Sequence, residues 1–284
     1  MFPPCSLSLE AAIRNHAEYV RSPDSWMLST FVLPIAKFED AAAFVPSFDK
    51  PHPFRISALG AKAEKPVEFI PAVKEAAEKI RSFETQHAPA ASVAQLEMFL
   101  PAGVDLTQVN QAAALLRDMK MQTFWETPAE AAEKTIKLLA LAKQPGFGYK
   151  LRTGGVTADA FPASPQIATA LLVATQHHIP MKLTAGLHHP IRRFQKEVNT
   201  KMHGFLNVLG AGVLAQEDHW DEGLMIEMLD DEDPKAFSFH DTVFAWRDWE
   251  ITMDRIKARR KFITSFGSCS FDEPREDLRS LNLL

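Results

Sequence analysis

Short apolar runs alternate with amphipathic stretches along most of this 284-residue chain. A run of roughly four to eight apolar residues between turn formers reads as a buried strand, and apolar residues three and four apart read as one face of a helix. The runs predict strands at Met27–Leu33, Phe54–Leu59, Ala94–Leu100, Gln122–Glu126, Tyr149–Arg152, Met181–Thr184, Ala236–Phe239 and Phe262–Phe266. Helical spacing predicts helices at Pro71–Phe83, Leu106–Met119, Pro128–Lys143 and Pro165–His178, with Thr127 and Ser164 as capping hydroxyls ahead of a proline. Two more are expected at Asp241–Arg260 and Glu273–Leu283, and an opening helix at Leu7–Val20 would cover the bottom of the fold. Strand–helix alternation builds a parallel α/β fold, and eight strands is the number of a closed (β/α)8 TIM barrel. The expectation is one such domain over residues 1–284.

One stretch breaks the alternation. Gly186–Lys235 separates the sixth and seventh expected strands and holds two further helical patterns, Met202–Gln216 and Glu222–Asp230. A long excursion after a barrel strand sits over the mouth, so residues 186–235 are expected to form a helical insertion or lid. The alternative is that His203–Leu209 is itself a strand, which would shift the count.

Composition narrows the function classes. Hydrophobic residues at 46% and charged residues at 24% give a globular chain with a sizeable core. The net charge is −5 and the basic residues are scattered, which argues against a broad nucleic-acid surface. The densest basic run, Arg255–Lys261, falls at the end of an expected helix, where it complements the helix dipole. Cys5 and Cys269 lie far apart, so no disulfide framework is expected and a reducing compartment fits. The opening residues lack a basic segment followed by an apolar one, and no apolar run is long enough to span a bilayer. A cytoplasmic protein acting on a small molecule, with neither membrane nor nucleic acid as partner, is the expectation; nothing here sets an oligomeric state.

Barrel interiors are packed with branched apolar side chains, so charge inside the strands marks chemistry, and catalytic groups come from the C-terminal strand ends. Glu97, Glu126, Lys150, Arg152 and Lys182 fall on the third to sixth expected strands. Side chains alternate along a strand, so Lys150 and Arg152 share a face, as do Lys182 and Thr184. Burial or a neighbouring cation drives a lysine toward its neutral, nucleophilic amine. Lys150 is then the candidate nucleophile, Lys182 its electrostatic partner, and Glu126 or Glu97 the proton carrier. The bland reading of the same five residues is an ion-pair network that fixes strand register. Arg152, Thr153, Gly154 and Gly155 after one strand and Gly267, Ser268 and Ser270 after the last are candidate anion holders, since glycine lets backbone amides approach a ligand. His188 and His189 are accessory acids, and Cys269 reads as a small loop residue because no motif ties a histidine base to it.

These motifs carry a resemblance. Lys150-x-x-Thr153-Gly154, followed by Lys182-x-x-Ala185-Gly186 and then Phe266-Gly267-Ser268-Cys269-Ser270, resembles deoxyribose-phosphate aldolase and related class I aldolases. The resemblance implies that Lys150 forms a Schiff base with a carbonyl substrate, that Lys182 is the neighbouring cation, and that Gly267–Ser270 holds phosphate. The chain departs from that family in placing the lysines on the fifth and sixth expected strands rather than the sixth and seventh, in His188-His189, and in the insertion. The wider pattern of KLRTGG, TAGLHHP, MHGFLN and SFGSCSFDEP also resembles a bacterial family without an assigned activity, which implies a shared fold only.

Three other readings stay open. A divalent metal is the alternative cofactor, with His189, His203, His240 and Asp241, beside His188, as mouth ligands, although H-E-x-x-H and a strand-one H-x-H are both missing. An enolase-like site lacks its third acid, because Lys150 and Arg152 occupy the fifth strand. A barrel that binds a small anion without turnover would use the same charges, and Trp220, Phe244, Trp246 and Trp249 would then offer a partner surface.

Overall fold

The computed structural model describes residues 7–284. The chain divides into two compact units, one of residues 7–127 with 141–148 and one of residues 128–140 with 149–284. Cys5 lies outside the described residues. Among those described, no helix is long and apolar enough to cross a membrane.

The first unit runs α1 (Leu9–Tyr19), β1 (Phe31–Pro34), α2 (Phe38–Ala42), β2 (Phe54–Leu59), α3 (Pro66–His87), β3 (Ala91–Phe99), α4 (Leu106–Leu116) and β4 (Gln122–Glu126). Its strands are parallel, with Phe31 opposite Ile56, Ile56 opposite Val93 and Leu96 opposite Thr123. Alternation sends Trp125 toward α3, where its ring meets Phe69 at 5.2 Å, and turns Phe124 and Glu126 to the other face. Asp105 starts α4 by accepting the Gln108 N–H at 2.9 Å, and the Gln108 side chain reaches back to the Asp105 N–H.

The second unit begins in α5 (Ala132–Ala142) and takes up the last four residues of β5 (Phe147–Arg152). It continues through α6 (Ser164–His177), β6 (Met181–Thr184), the antiparallel ribbon β7 (Arg193–Gln195) and β8 (Thr200–Met202), α7 (Phe205–Asp218) and α8 (Glu222–Asp230). Three antiparallel strands follow, β9 (Phe237–His240), β10 (Val243–Trp246) and β11 (Trp249–Thr252), then α9 (Met253–Arg259), β12 (Ile263–Gly267) and α10 (Asp272–Ser280). The parallel strands are ordered β1-β2-β3-β4-β5-β6-β12, and this α/β sheet ends at β1 and β12.

Two expectations are corrected here. The sheet holds seven strands rather than eight and is not a closed barrel, because the run expected as the seventh strand leaves it to form β9 of the separate three-stranded sheet. The expected helix at 241–260 is helical only over α9, and Val243–Trp246 and Trp249–Thr252 are the strands β10 and β11. The cause is turn chemistry: His240 pairs with Val243 and Trp246 with Trp249, so two-residue loops close both hairpins, and Arg247 adopts a left-handed φ of 51° in the second. The resulting meander buries Phe237, Phe244 and Trp246 and sets the Trp220 ring 5.6 Å from Trp246. Aromatics read as a partner surface are therefore mostly core, with Trp249 partly exposed.

The capping expectation also changes. Ser164 is the first residue of α6 rather than its cap, and its hydroxyl donates to Asp230 at 2.5 Å. Within residues 186–235, α7 is buried and stacks Phe205 on Phe266 of β12, with a ring separation of 4.8 Å. It thus packs on the face of β12 opposite Ser265 and Gly267.

Candidate functional site

The second unit brings the two lysines together. Lys150 and Lys182 are direct partners in the parallel register of β5 and β6, and Arg152 is the partner of Thr184. Adjacent strands run about 4.8 Å apart and paired residues point the same way, so both lysines stand side by side on one face. Lys150 is 5% and Lys182 2% exposed, while Arg152 at the strand end is exposed. On the other side of β6, Ser265 pairs with Lys182 and Gly267 with Thr184. The result is two tiers across three strands: Lys150, Lys182 and Ser265 below, and Arg152, Thr184 and Gly267 above.

The loops after β5 and β6 interlock. Thr153 donates its N–H to the Thr184 carbonyl at 2.7 Å and its hydroxyl to the Ala185 carbonyl at 2.6 Å. Ala185 and Gly186 both take left-handed backbone, with φ of 65° and 73°. For alanine that conformation costs on the order of 1 kcal/mol, and such strain collects at functional sites. Gly154 leaves no room for a side chain: a Cβ there would lie 2.5 Å from the Phe161 ring and 2.9 Å from the Gly186 Cα. Gly154→Ala is expected to destabilise the unit by about 1–3 kcal/mol through overpacking, a lowered melting temperature being the check. Gly155 would meet Ala160 at 2.5 Å, so the pair is fixed by close packing of the loop.

His188 and His189 are buried and each is held by a carboxylate of α10. His188 Nδ1 lies 2.8 Å from Glu273, and His189 Nδ1 lies 2.6 Å from Asp277. Arg193 donates to His189 Nε2 at 3.0 Å, so this ring is neutral and its Nδ1–H donates to Asp277. Burial, reinforced by the Arg193 charge, holds the His189 pKa below its ordinary value against the opposing pull of Asp277 and Glu273. Cys269, an exposed cysteine, comes within 3.6 Å of His188 Nε2 and 3.8 Å of Nδ1. Near-equal distances to both nitrogens set the sulfur against the ring rather than in line with one N–H.

The segment 267–270 is less open to an anion than its sequence suggests. The Ser270 hydroxyl accepts the Glu273 N–H at 3.2 Å, and Asp272 and Glu273 already occupy the first turn of α10. The Ser268 hydroxyl accepts the Ser270 N–H at 3.4 Å.

The metal alternative finds its residues engaged or apart. His203 accepts from Arg192 at Nδ1 (3.0 Å) and donates from Nε2 to the Pro162 carbonyl (2.8 Å), which uses both ring nitrogens. Burial depresses its pKa to about 4. His240 and Asp241 are exposed at the turn between β9 and β10. Among the described residues no three His, Cys, Asp or Glu side chains form a metal-holding group.

Glu97 and Glu126 belong to the first unit. Glu97 is buried and accepts from the Ser57 hydroxyl at 2.6 Å; Glu126 is half-buried at the end of β4. The same unit has a hollow of about 630 Å³ lined by Arg81, Glu84, Ser92, Asp118 and Lys120. It opens at the start of β3, and ligands of parallel α/β sheets bind at the C-terminal strand ends. The charged strand ends are therefore the better candidate.

Sequence reasoning missed Ser265 as a neighbour of Lys182, because an eight-strand count puts a whole strand between them. It also missed the approach of His188 to Cys269. No protein-family model and no curated protein matches the chain. The function is thus read from the site itself.

Proposed function

We propose that the second unit forms a Schiff base with a small carbonyl compound bearing phosphate or carboxylate, in an aldolase-like lyase reaction. The observation that carries this reading is the in-register pair of buried lysines, Lys150 and Lys182. A like charge one strand away and burial are the two general means by which a lysine is driven toward a neutral, nucleophilic amine. Lys150 attacks the carbonyl carbon, the C–N bond forms, and the former carbonyl oxygen leaves as water to give the iminium. Lys182 remains the cation beside it. Arg152, at the exposed strand end, holds the anionic group. His188, backed by Glu273, is the proton carrier.

Borohydride reduction in the presence of small aldehydes and keto acids tests this, because hydride converts the iminium to a stable secondary amine. The expected result is a single mass adduct that maps to Lys150 or Lys182. The second reading, anion binding without turnover, rests on the same row of cations and is favoured instead if no adduct forms across the panel.

A further inference from the structure

Five buried side-chain polar atoms have no hydrogen-bond partner among the described residues: Trp125 Nε1, Thr184 Oγ1, Gln216 Oε1, Trp220 Nε1 and Ser265 Oγ. Trp125, Gln216 and Trp220 are scattered over β4, α7 and the loop after α7. The two hydroxyls are not scattered. Ser265 is the register partner of Lys182, and Thr184 lies two residues beyond Lys182 on the same face of β6. Both flank the one lysine, and both sit on the tiers described above.

Unpaired buried hydroxyls carry a cost that a folded protein normally avoids. The neighbouring Thr264 shows the usual outcome, since its hydroxyl donates to the Met181 carbonyl at 2.8 Å. Thr184 and Ser265 have no such backbone partner, and Thr184 is 9% exposed. Opposite Thr184 stands Gly267, where a Cβ would come within 3.2 Å of the Thr184 methyl. A hydroxyl both donates and accepts, so its full complement is another hydroxyl rather than an anion, which accepts only.

We infer that Thr184 and Ser265 are specificity-determining residues that pair with a hydroxyl on the substrate, so that the site takes hydroxylated carbonyl compounds in preference to plain ones. This rests on the Schiff-base reading. A site built to hydrogen-bond a substrate hydroxyl discriminates strongly against the analogue that lacks it, because its own buried groups are then left unpaired.

The test uses matched aldehydes under borohydride: glycolaldehyde against acetaldehyde, and glyceraldehyde against propanal. Each ratio of adduct rates is divided by the ratio measured on Nα-acetyl-lysine, which removes intrinsic reactivity. The wild-type chain is expected to prefer the hydroxylated member of at least one pair by about tenfold or more. Thr184→Val and Ser265→Ala should each reduce that preference, and the double variant should bring it down to the value for the free amine. Adducts formed with no preference overturn this assignment and leave the Schiff-base reading standing, as does a preference that survives in the double variant or one that follows only a phosphate group. No adduct with any aldehyde overturns both. If Thr184→Val does not fold, Ser265→Ala, which removes a single oxygen, decides alone.

Discussion

Lys150→Met is expected to abolish the reductively trapped adduct, a loss on the order of a thousandfold or more, because the group that forms the bond is gone. Lys150→Arg is the more telling variant. Arginine keeps the positive charge and much of the length, yet it stays protonated at any working pH and cannot act as the amine nucleophile. A nucleophilic lysine therefore gives the same loss with arginine as with methionine. A lysine that only fixes register through ion pairing gives a different pattern. Arginine would preserve it, and methionine would show its effect in stability, by about 3–5 kcal/mol when a buried partner is left uncompensated. Lys182→Met separates the two roles further. The nucleophile remains, but the cation that disfavours its protonation is removed, so adduct formation should require higher pH, at about tenfold in rate for each unit of displacement. Peptide mapping of the adduct across a pH series reads all three variants. An adduct that persists at full yield in Lys150→Met, on a lysine other than Lys182, would end the proposal.

How much of this site was legible beforehand depended on how far each feature rests on local sequence. β2, β4 and β6 match the expected strands to the residue, since each is a short apolar run with clear ends. The lysine pair followed from the same logic: charges within apolar runs, and alternation along a strand. The hairpins at 237–252 were misread because no Asn-Gly or Gly-containing dipeptide marks their turns, although Phe244 and Trp246, and Trp249 and Ile251, alternate as strand residues do. That one error displaced the last strand by a position and hid Ser265 from Lys182. The contact of His188 with Cys269, and the carboxylates that α10 supplies to His188 and His189, join residues more than eighty positions apart. No periodicity carries such information. It appears only when β12 docks on β6. The orphaned hydroxyls are further out of reach, because they are defined by the partners that folding fails to provide.

Acidification should destabilise both units well above the pH at which most carboxylates titrate, and two buried histidines are the reason. His16 lies in the first unit against the rings of Phe31, Phe48 and Phe54, at 5.2, 6.0 and 6.0 Å, and burial alone lowers its pKa to about 4. His203 lies in the second unit, and burial brings it to about 4 despite the Pro162 carbonyl it donates to. In the unfolded chain both return to about 6.5. A folded value below the unfolded one means that the unfolded state binds the proton first. The stability linked to each histidine is therefore fully present above pH 6.5, falls as the pH drops, and is gone below about 4. The loss amounts to about 3 kcal/mol for each residue, a large share of the roughly 5–15 kcal/mol that holds a domain together. Urea midpoints at pH 7.5, 6, 5 and 4.5 should fall steadily, with most of the slope below pH 6. His203→Gln provides the control, because a glutamine amide can donate to Pro162 and accept from Arg192 without titrating. His16→Phe does the same for the aromatic cluster. The double variant is expected to keep most of the midpoint at pH 7.5 and to lose most of the decline between 6 and 4.5, leaving what His189 and the surface carboxylates contribute. A wild-type midpoint as high at pH 5 as at pH 7.5 would show that neither ring is held neutral by the fold.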